Sequence, residues 1–195
     1  LNEEAFKRAS VFNCCSGTMF HPTALETTRT AVEMAKKNGA LIAIDANIRP
    51  LRWSSEKYCR ETIASFFQDA NILKLTDEEL FFLTETNSIE AGLEVLKPLN
   101  VPIVLVTVGA KGAYAVLNGD VMHVPVEQVV PVDTTGAGDA FMAGVLRYVH
   151  YSGLPTTKDS LFDCVSFGNK LGALAATKAG ALTALPRYDE IKDLL

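Results

Sequence analysis

The chain predicts an α/β fold in three layers, a mainly parallel sheet with helices on both faces. Three observations lead there. Apolar runs alternate along the chain with longer stretches of helical periodicity. Those runs are short, as strands covered on both faces are. A chain of 195 residues with 48% apolar content suits one domain with a substantial core. No repeat, low-complexity tract or linker interrupts residues 1–195, so a single domain is expected.

Val11–Cys15 reads as a buried strand, the first of the chain. Ala24–Lys37 has helical periodicity and stops at Asn38-Gly39. Leu41–Asp45 is a short apolar strand ending in a carboxylate. Ser55–Gln68 is helical, with Ser54 or Ser55 as its cap. Asn71–Leu75 is the third strand, and Thr76-Asp77-Glu78-Glu79 reads as a capping box opening a helix. Glu90–Leu99 is helical, and Ile103–Thr107 is a strongly β-branched strand. Ala113–Leu117 and Val121–Val124 form a hairpin across Asn118-Gly119-Asp120. An amphipathic helix follows, with Phe141, Val145, Leu146 and Val149 on one face. Ser160–Lys178 is a long Ala-rich helix, and a short helix near Tyr188–Leu194 closes the chain. In such sheets chemistry collects at the carboxyl ends of strands. Asp45-Ala46-Asn47, Thr76–Glu79 and Thr107–Gly109 all fall there and are expected to face one edge.

Composition excludes several classes. Net charge is −5 with 21% charged residues, and no basic cluster or Arg-rich stripe marks a nucleic-acid partner. The longest apolar stretches fall far below a membrane span, and no signal peptide stands at this N-terminus; a cytoplasmic location is expected. Cys14 and Cys15 are strand neighbours that point to opposite faces, so they should not pair or share a metal. No Cys/His spacing fits zinc. With Cys59 and Cys164 they read as reduced, partly buried thiols. His21, His123 and His150 are scattered and read as structural or exposed.

The segment Asp133-Thr134-Thr135-Gly136-Ala137-Gly138-Asp139-Ala140-Phe141 holds the chemistry. A Gly-Ala-Gly turn stands directly before a helix. Small residues let the backbone approach a ligand, and first-turn N–H groups without partners make an anion site. Asp139 stands beside that site, placed to take a proton from a hydroxyl attacking a phosphate. Bound anion plus adjacent base is the minimum apparatus for phosphoryl transfer. The competing reading of Asp139 is an ordinary carboxylate near a helix start. The segment is neither a Walker A loop, having no Gly-Lys-Ser/Thr, nor G-x-G-x-x-G, whose third glycine is missing.

This segment resembles the signature of the ribokinase-like (PfkB) carbohydrate kinases. Other segments match in the same order. Asp45-Ala46-Asn47-Ile48-Arg49-Pro50 with Trp53 is similar to a stretch of fructokinases and 2-keto-3-deoxygluconate kinases. Lys74–Leu80 resembles the segment carrying a magnesium-linked glutamate, and Thr107–Gly112 resembles the nucleotide loop. Phe167-Gly168-Asn169 through Gly180-Ala181 and Pro186 resembles the C-terminal end. The likeness covers essentially the whole chain and corresponds to the family's C-terminal two-thirds. It implies a ribokinase-like fold lacking the N-terminal strands and lid, so the chain is expected to be a fragment or a part of a longer enzyme.

The resemblance also implies roles. Asp139 would be the general base, and Gly136, Ala137 and Gly138 would offer amides to the transferring phosphate. Asn47 and Arg49 would meet substrate or phosphate; a surface ion pair is the other reading of Arg49, and core packing that of Trp53. Glu79 would orient Mg²⁺ through water, although it also fits the capping box, and Thr76 stands where many relatives have Asn. Thr107, Gly109, Gly112 and Asn169 would touch ATP. Gly172 would either leave room for the base or serve helix packing. Asp133 and Thr135, with backbone near Ala176, Ala179 and Gly180, resemble a monovalent cation loop, which implies activation by K⁺. The implied activity is ATP-dependent phosphorylation of a primary hydroxyl of a small sugar, foremost fructose to fructose 6-phosphate. 2-Keto-3-deoxygluconate kinase and ribokinase are the alternatives within the family, and a non-catalytic nucleotide-binding scaffold is the alternative outside it. Relatives often dimerise through the missing lid, so a homodimer of the intact protein is an option that this sequence leaves open. The isolated chain is expected to bind ATP weakly and to be inactive.

Overall fold

Parallel pairing organises the first half of the chain. In the computed structural model, which describes residues 1–192, strands β1 (Val11–Cys15), β2 (Leu41–Asp45) and β3 (Ile72–Thr76) lie side by side in that order. Their register sets Cys15 opposite Asp45 and Asp45 opposite Lys74. β1 is half-buried with Asn13 exposed, not the buried strand expected. Parallel neighbours need long crossovers. Helices α2 (Pro22–Lys37) and α3 (Glu56–Ala64) supply them. β4 (Ile103–Thr107) follows beside β3, where the Ile103 N–H donates to the Asn71 carbonyl at 3.1 Å.

Local chemistry accounts for the helix ends. α2 starts two residues earlier than its periodicity indicates, because Pro22 fits the first turn, where no N–H is needed. Ser55 caps α3 by accepting the Tyr58 N–H at 3.1 Å. α3 ends at Ala64 and gives way to a 3₁₀ turn over Phe67–Asp69, so the expected helix to Gln68 is in two pieces. Thr76 and Glu79 close a full capping box at the start of α4 (Asp77–Thr84). α5 (Ile89–Leu96) stops short of Leu99 because Pro98 has no N–H to donate to the Glu94 carbonyl, and Lys97–Leu99 closes as a 3₁₀ turn. A short helix, α1 (Glu3–Lys7), capped by Asn2, is an element the periodicity did not indicate.

The chain divides into two compact units, Leu1–Val106 with Asn118–Asp120, and Thr107–Leu117 with Val121 onward. In the first, Ile42, Ile44, Ile72, Leu73, Leu75, Ile103 and Leu105 are fully buried in the strands, as are Ile63, Phe66 and Phe67 in and after α3. Side chains of this size each contribute about 1.5–3 kcal/mol by leaving water.

The second unit holds β5 (Ala113–Leu117), β6 (Asp120–Val124) apart from Asp120, α6 (Ala137–Ser152), α7 (Lys158–Ala176), and two single-turn helices, α8 (Ala181–Ala184) and α9 (Tyr188–Ile191). Asn118 and Gly119 both have positive φ, the backbone of a tight hairpin turn. α7 begins at Lys158 rather than Ser160 because Thr157 caps it through the Ser160 N–H. α6 and α7 approach closely: a Cβ on Gly144 would stand 2.9 Å from the Gly168 Cα. Ala140, Phe167, Leu171, Ala175 and Ile191 form the core beneath them. Of the helix expected over Tyr188–Leu194, Tyr188–Ile191 is helical and the last two residues lie outside the described residues.

Candidate active site

In the first unit, three elements converge on the loop after β2. Asn47 takes a left-handed backbone, φ 38°, uncommon for a residue with a side chain but least so for Asn. The Ser16 hydroxyl, buried after β1, donates to the Ala46 carbonyl and stands 3.3 Å from that of Asn47. From the other side, Glu79 Oε1 accepts the Ile48 N–H at 2.7 Å, while Oε2 accepts the Thr76 N–H at 2.9 Å. Glu79 is therefore both the back-bonding member of the capping box and a clamp on the loop. Below it, Lys74 Nζ meets Asp45 Oδ1 at 3.0 Å with both side chains about 5% exposed. Arg49 donates Nη1 to its neighbour's carbonyl, that of Ile48, at 2.9 Å. Trp53 is buried, edge-on to Phe20 and Tyr58, so it belongs to the core. The strand ends carrying Asn47 and Glu79 are thus brought together as expected.

In the second unit, Gly136 heads α6 with φ 83°, a backbone that only glycine adopts without strain, and it makes no side-chain cap. The Ala137 N–H already donates to the Thr134 carbonyl at 3.1 Å. Gly138 and Asp139 lie in the first turn, where no intrahelical carbonyl is available. The Asp139 carboxylate is exposed there. Asp139 is not spent on a buried cap, and the turn can offer N–H groups and a base together.

Thr107 ends β4 and leads into a 3₁₀ turn over Gly109–Lys111. This turn is fastened repeatedly. The Val108 N–H donates to the Gly112 carbonyl at 2.8 Å, Gln128 Nε2 donates to that of Ala110 at 2.7 Å, and His123 Nε2 bonds to that of Lys111 at 2.8 Å. Gly112 has φ 94°, and a Cβ there would strike the Val124 carbonyl oxygen at 2.2 Å. Asn169 is buried, and its Nδ2 donates to the Val124 carbonyl at 3.0 Å. It thus braces the segment against which Gly112 packs. Gly172 faces the Ala137 carbonyl and Phe141, which favours helix packing over room for a base.

Asp133 gathers the remaining predicted residues. Its Oδ1 accepts the Thr135 N–H and its Oδ2 the Gly180 N–H, each at 2.9 Å. The Ala176 carbonyl takes the N–H groups of Val132 and Asp133. Hydrogen bonding to Thr135 and Gly180 holds the Asp133 carboxyl below its ordinary value.

Among the described residues no three His, Cys, Asp or Glu side chains gather as a metal cage. Burial pushes the Cys14 and Cys164 thiols up to about 12 and Cys59 to about 11, and all four cysteines are free. His123 lies tilted against Tyr114, and His150 meets Tyr151 edge-on. Sequence reasoning passed over Ser16, His123 and Gln128 as loop holders. Lys74 was legible, since a lone cation within Ile-Leu-Lys-Leu needs a buried partner.

Comparison with known proteins bears on this arrangement. The model of the pfkB family carbohydrate kinases matches residues 1–187. The fructokinase of Vibrio alginolyticus is 33% identical over 190 residues, 95% of this chain and 61% of its own. That of Klebsiella pneumoniae is 36% identical over 188 residues, 96% of this chain and 61% of its own. Among solved structures, Vibrio cholerae O395 fructokinase in its fructose-, ADP- and calcium-bound form matches with TM-score 0.91 at 33% identity, covering all of this chain and 64% of that one. Aminoimidazole riboside kinase from Salmonella enterica matches with TM-score 0.86 at 29% identity, over 93% of this chain and 61% of that one. The chain spans about three-fifths of the length of these relatives. Its fold is the three-layer α/β fold of ribokinase-like kinases. Signature, fold and family match agree: the chain belongs to the pfkB family of carbohydrate kinases.

Proposed function

We propose that this chain is the nucleotide-binding and catalytic part of a cytoplasmic sugar kinase, transferring the γ-phosphoryl group of ATP to a primary hydroxyl of fructose. The observation that carries this reading is the start of α6, a glycine-headed turn with an exposed carboxylate in its first turn. Asp139 takes the proton of the sugar hydroxyl as its oxygen attacks the γ-phosphorus; ADP leaves with the electrons of the broken P–O bond. The amides of Gly136, Gly138 and Asp139 bear the charge on the transferring group, and Ala137, already engaged, stiffens the turn. Gly109 and Gly112 let the nucleotide approach the backbone, with Thr107 and Asn169 beside it. Asn47 and Arg49 hold the substrate side.

Mg²⁺ would neutralise the phosphates of ATP. Glu79 fits as its water-bridged carboxylate, since each oxygen keeps a lone pair beyond the amide it accepts. Asp133, whose oxygens accept the Thr135 and Gly180 N–H groups, would with Thr135 form a K⁺ loop beside Ala176, Ala179 and Gly180. Fructose is favoured over other sugars by the fructokinase relatives, one of them described with fructose and ADP bound. The test is a coupled ATP assay of the full-length protein against hexoses, ribose and 2-keto-3-deoxygluconate, with and without K⁺. Fructose should give the highest kcat/KM, and a best substrate that is not a sugar would refute the reading. The isolated 195-residue chain should show no turnover.

A further inference from the structure

Ser16 lies outside every motif in the sequence, yet it is 2% exposed and spends its hydroxyl on the loop after β2. That loop holds Asn47 at φ 38°, a left-handed backbone less populated than the extended one even for Asn. Two groups oppose its relaxation. On one side the Ser16 hydroxyl grips the Ala46 carbonyl and stands within 3.3 Å of the Asn47 carbonyl. On the other, Glu79 Oε1 holds the Ile48 N–H at 2.7 Å. The peptide units on both sides of Asn47 are therefore fixed, and these orient its side chain and that of Arg49. We propose that Ser16 is a positioning residue for the sugar-side loop, acting through Asn47 and Arg49 without touching the substrate.

The proposal rests on the reading that Asn47 and Arg49 meet the substrate. Ser16→Ala removes one net hydrogen bond and leaves the surrounding core intact. In the full-length protein it should lower kcat/KM for the sugar about tenfold, as the loss of one well-placed hydrogen bond would. The KM for ATP should stay within about twofold, a split that general loosening of the fold would not produce. Amide exchange at Ile48 and Arg49 should quicken by a similar factor. In an Asn47→Gly background, where the left-handed backbone carries no strain, adding Ser16→Ala should barely change that exchange. Parental kinetics and exchange in Ser16→Ala, or an equal loss for both substrates, would overturn the proposal. If the parent phosphorylates no sugar at all, the kinase reading fails separately, and unchanged exchange would then sink the clamp by itself.

Discussion

Lys74 and Asp45 face each other across neighbouring parallel strands, 3.0 Å apart and nearly closed to water, directly beneath the loop that carries Asn47 and Arg49. Breaking such a pair from one side removes the cation that faces a buried carboxylate. Lys74→Met should cost about 3–5 kcal/mol of stability, measured by urea unfolding. Replacing both partners, Lys74→Met with Asp45→Leu, should recover most of that loss. A single variant as stable as the parent would mean that the pair is solvated in solution.

Asp139→Asn keeps the shape of the first turn of α6 and removes the proposed base. The kcat of the full-length protein should fall by about 10²–10⁴-fold, while ATP binding measured by calorimetry stays near parental. Because Asp139 is exposed, its replacement should leave the unfolding midpoint within about 0.5 kcal/mol.

Gly112→Ala places a Cβ against the Val124 carbonyl on a backbone with φ 94°. The turn must shift to relieve both. Stability should fall by about 1–3 kcal/mol, and the KM for ATP should rise more than that for sugar. Steady-state kinetics with each substrate varied in turn decides this.

Asp133 titrates below its ordinary value because Thr135 and Gly180 donate to its ionised form. A folded-state value below the unfolded one means that the contribution is fully present above the unfolded value. It disappears as pH falls through the depressed one. The stability difference between the parent and Asp133→Asn should therefore be constant near neutral pH and shrink towards zero in acid. Urea unfolding across the acid range measures it. A difference that grows on acidification would contradict the assignment.

Cys14, Cys59 and Cys164 are held protonated by burial, at about 11 to 12. At about pH 8 only a small thiolate fraction exists at each, so alkylation of the native protein should be slow there and rapid once urea exposes them. Mass spectrometry of the labelled peptides resolves the sites.

Much of this molecule is local and therefore readable along the chain. Strands β1 to β4, the Thr76–Glu79 capping box and the Ser55 cap follow from apolar spacing and from side chains that reach only three residues. The glycine-headed turn before Phe141 is equally local, since φ 83° at Gly136 demands a residue without a Cβ. Helix ends were less legible: Pro98 cuts α5 and the 3₁₀ turn at Phe67 splits the expected third helix, breaks that apolar periodicity does not register. What only the tertiary structure decided are the contacts between residues far apart in sequence. Ser16 meets Ala46 and Asn47, Glu79 meets Ile48, and Asn169 meets Val124. Hydrogen bonds across 30 or more residues leave no periodic trace, because either partner is an ordinary polar residue until folding removes its water.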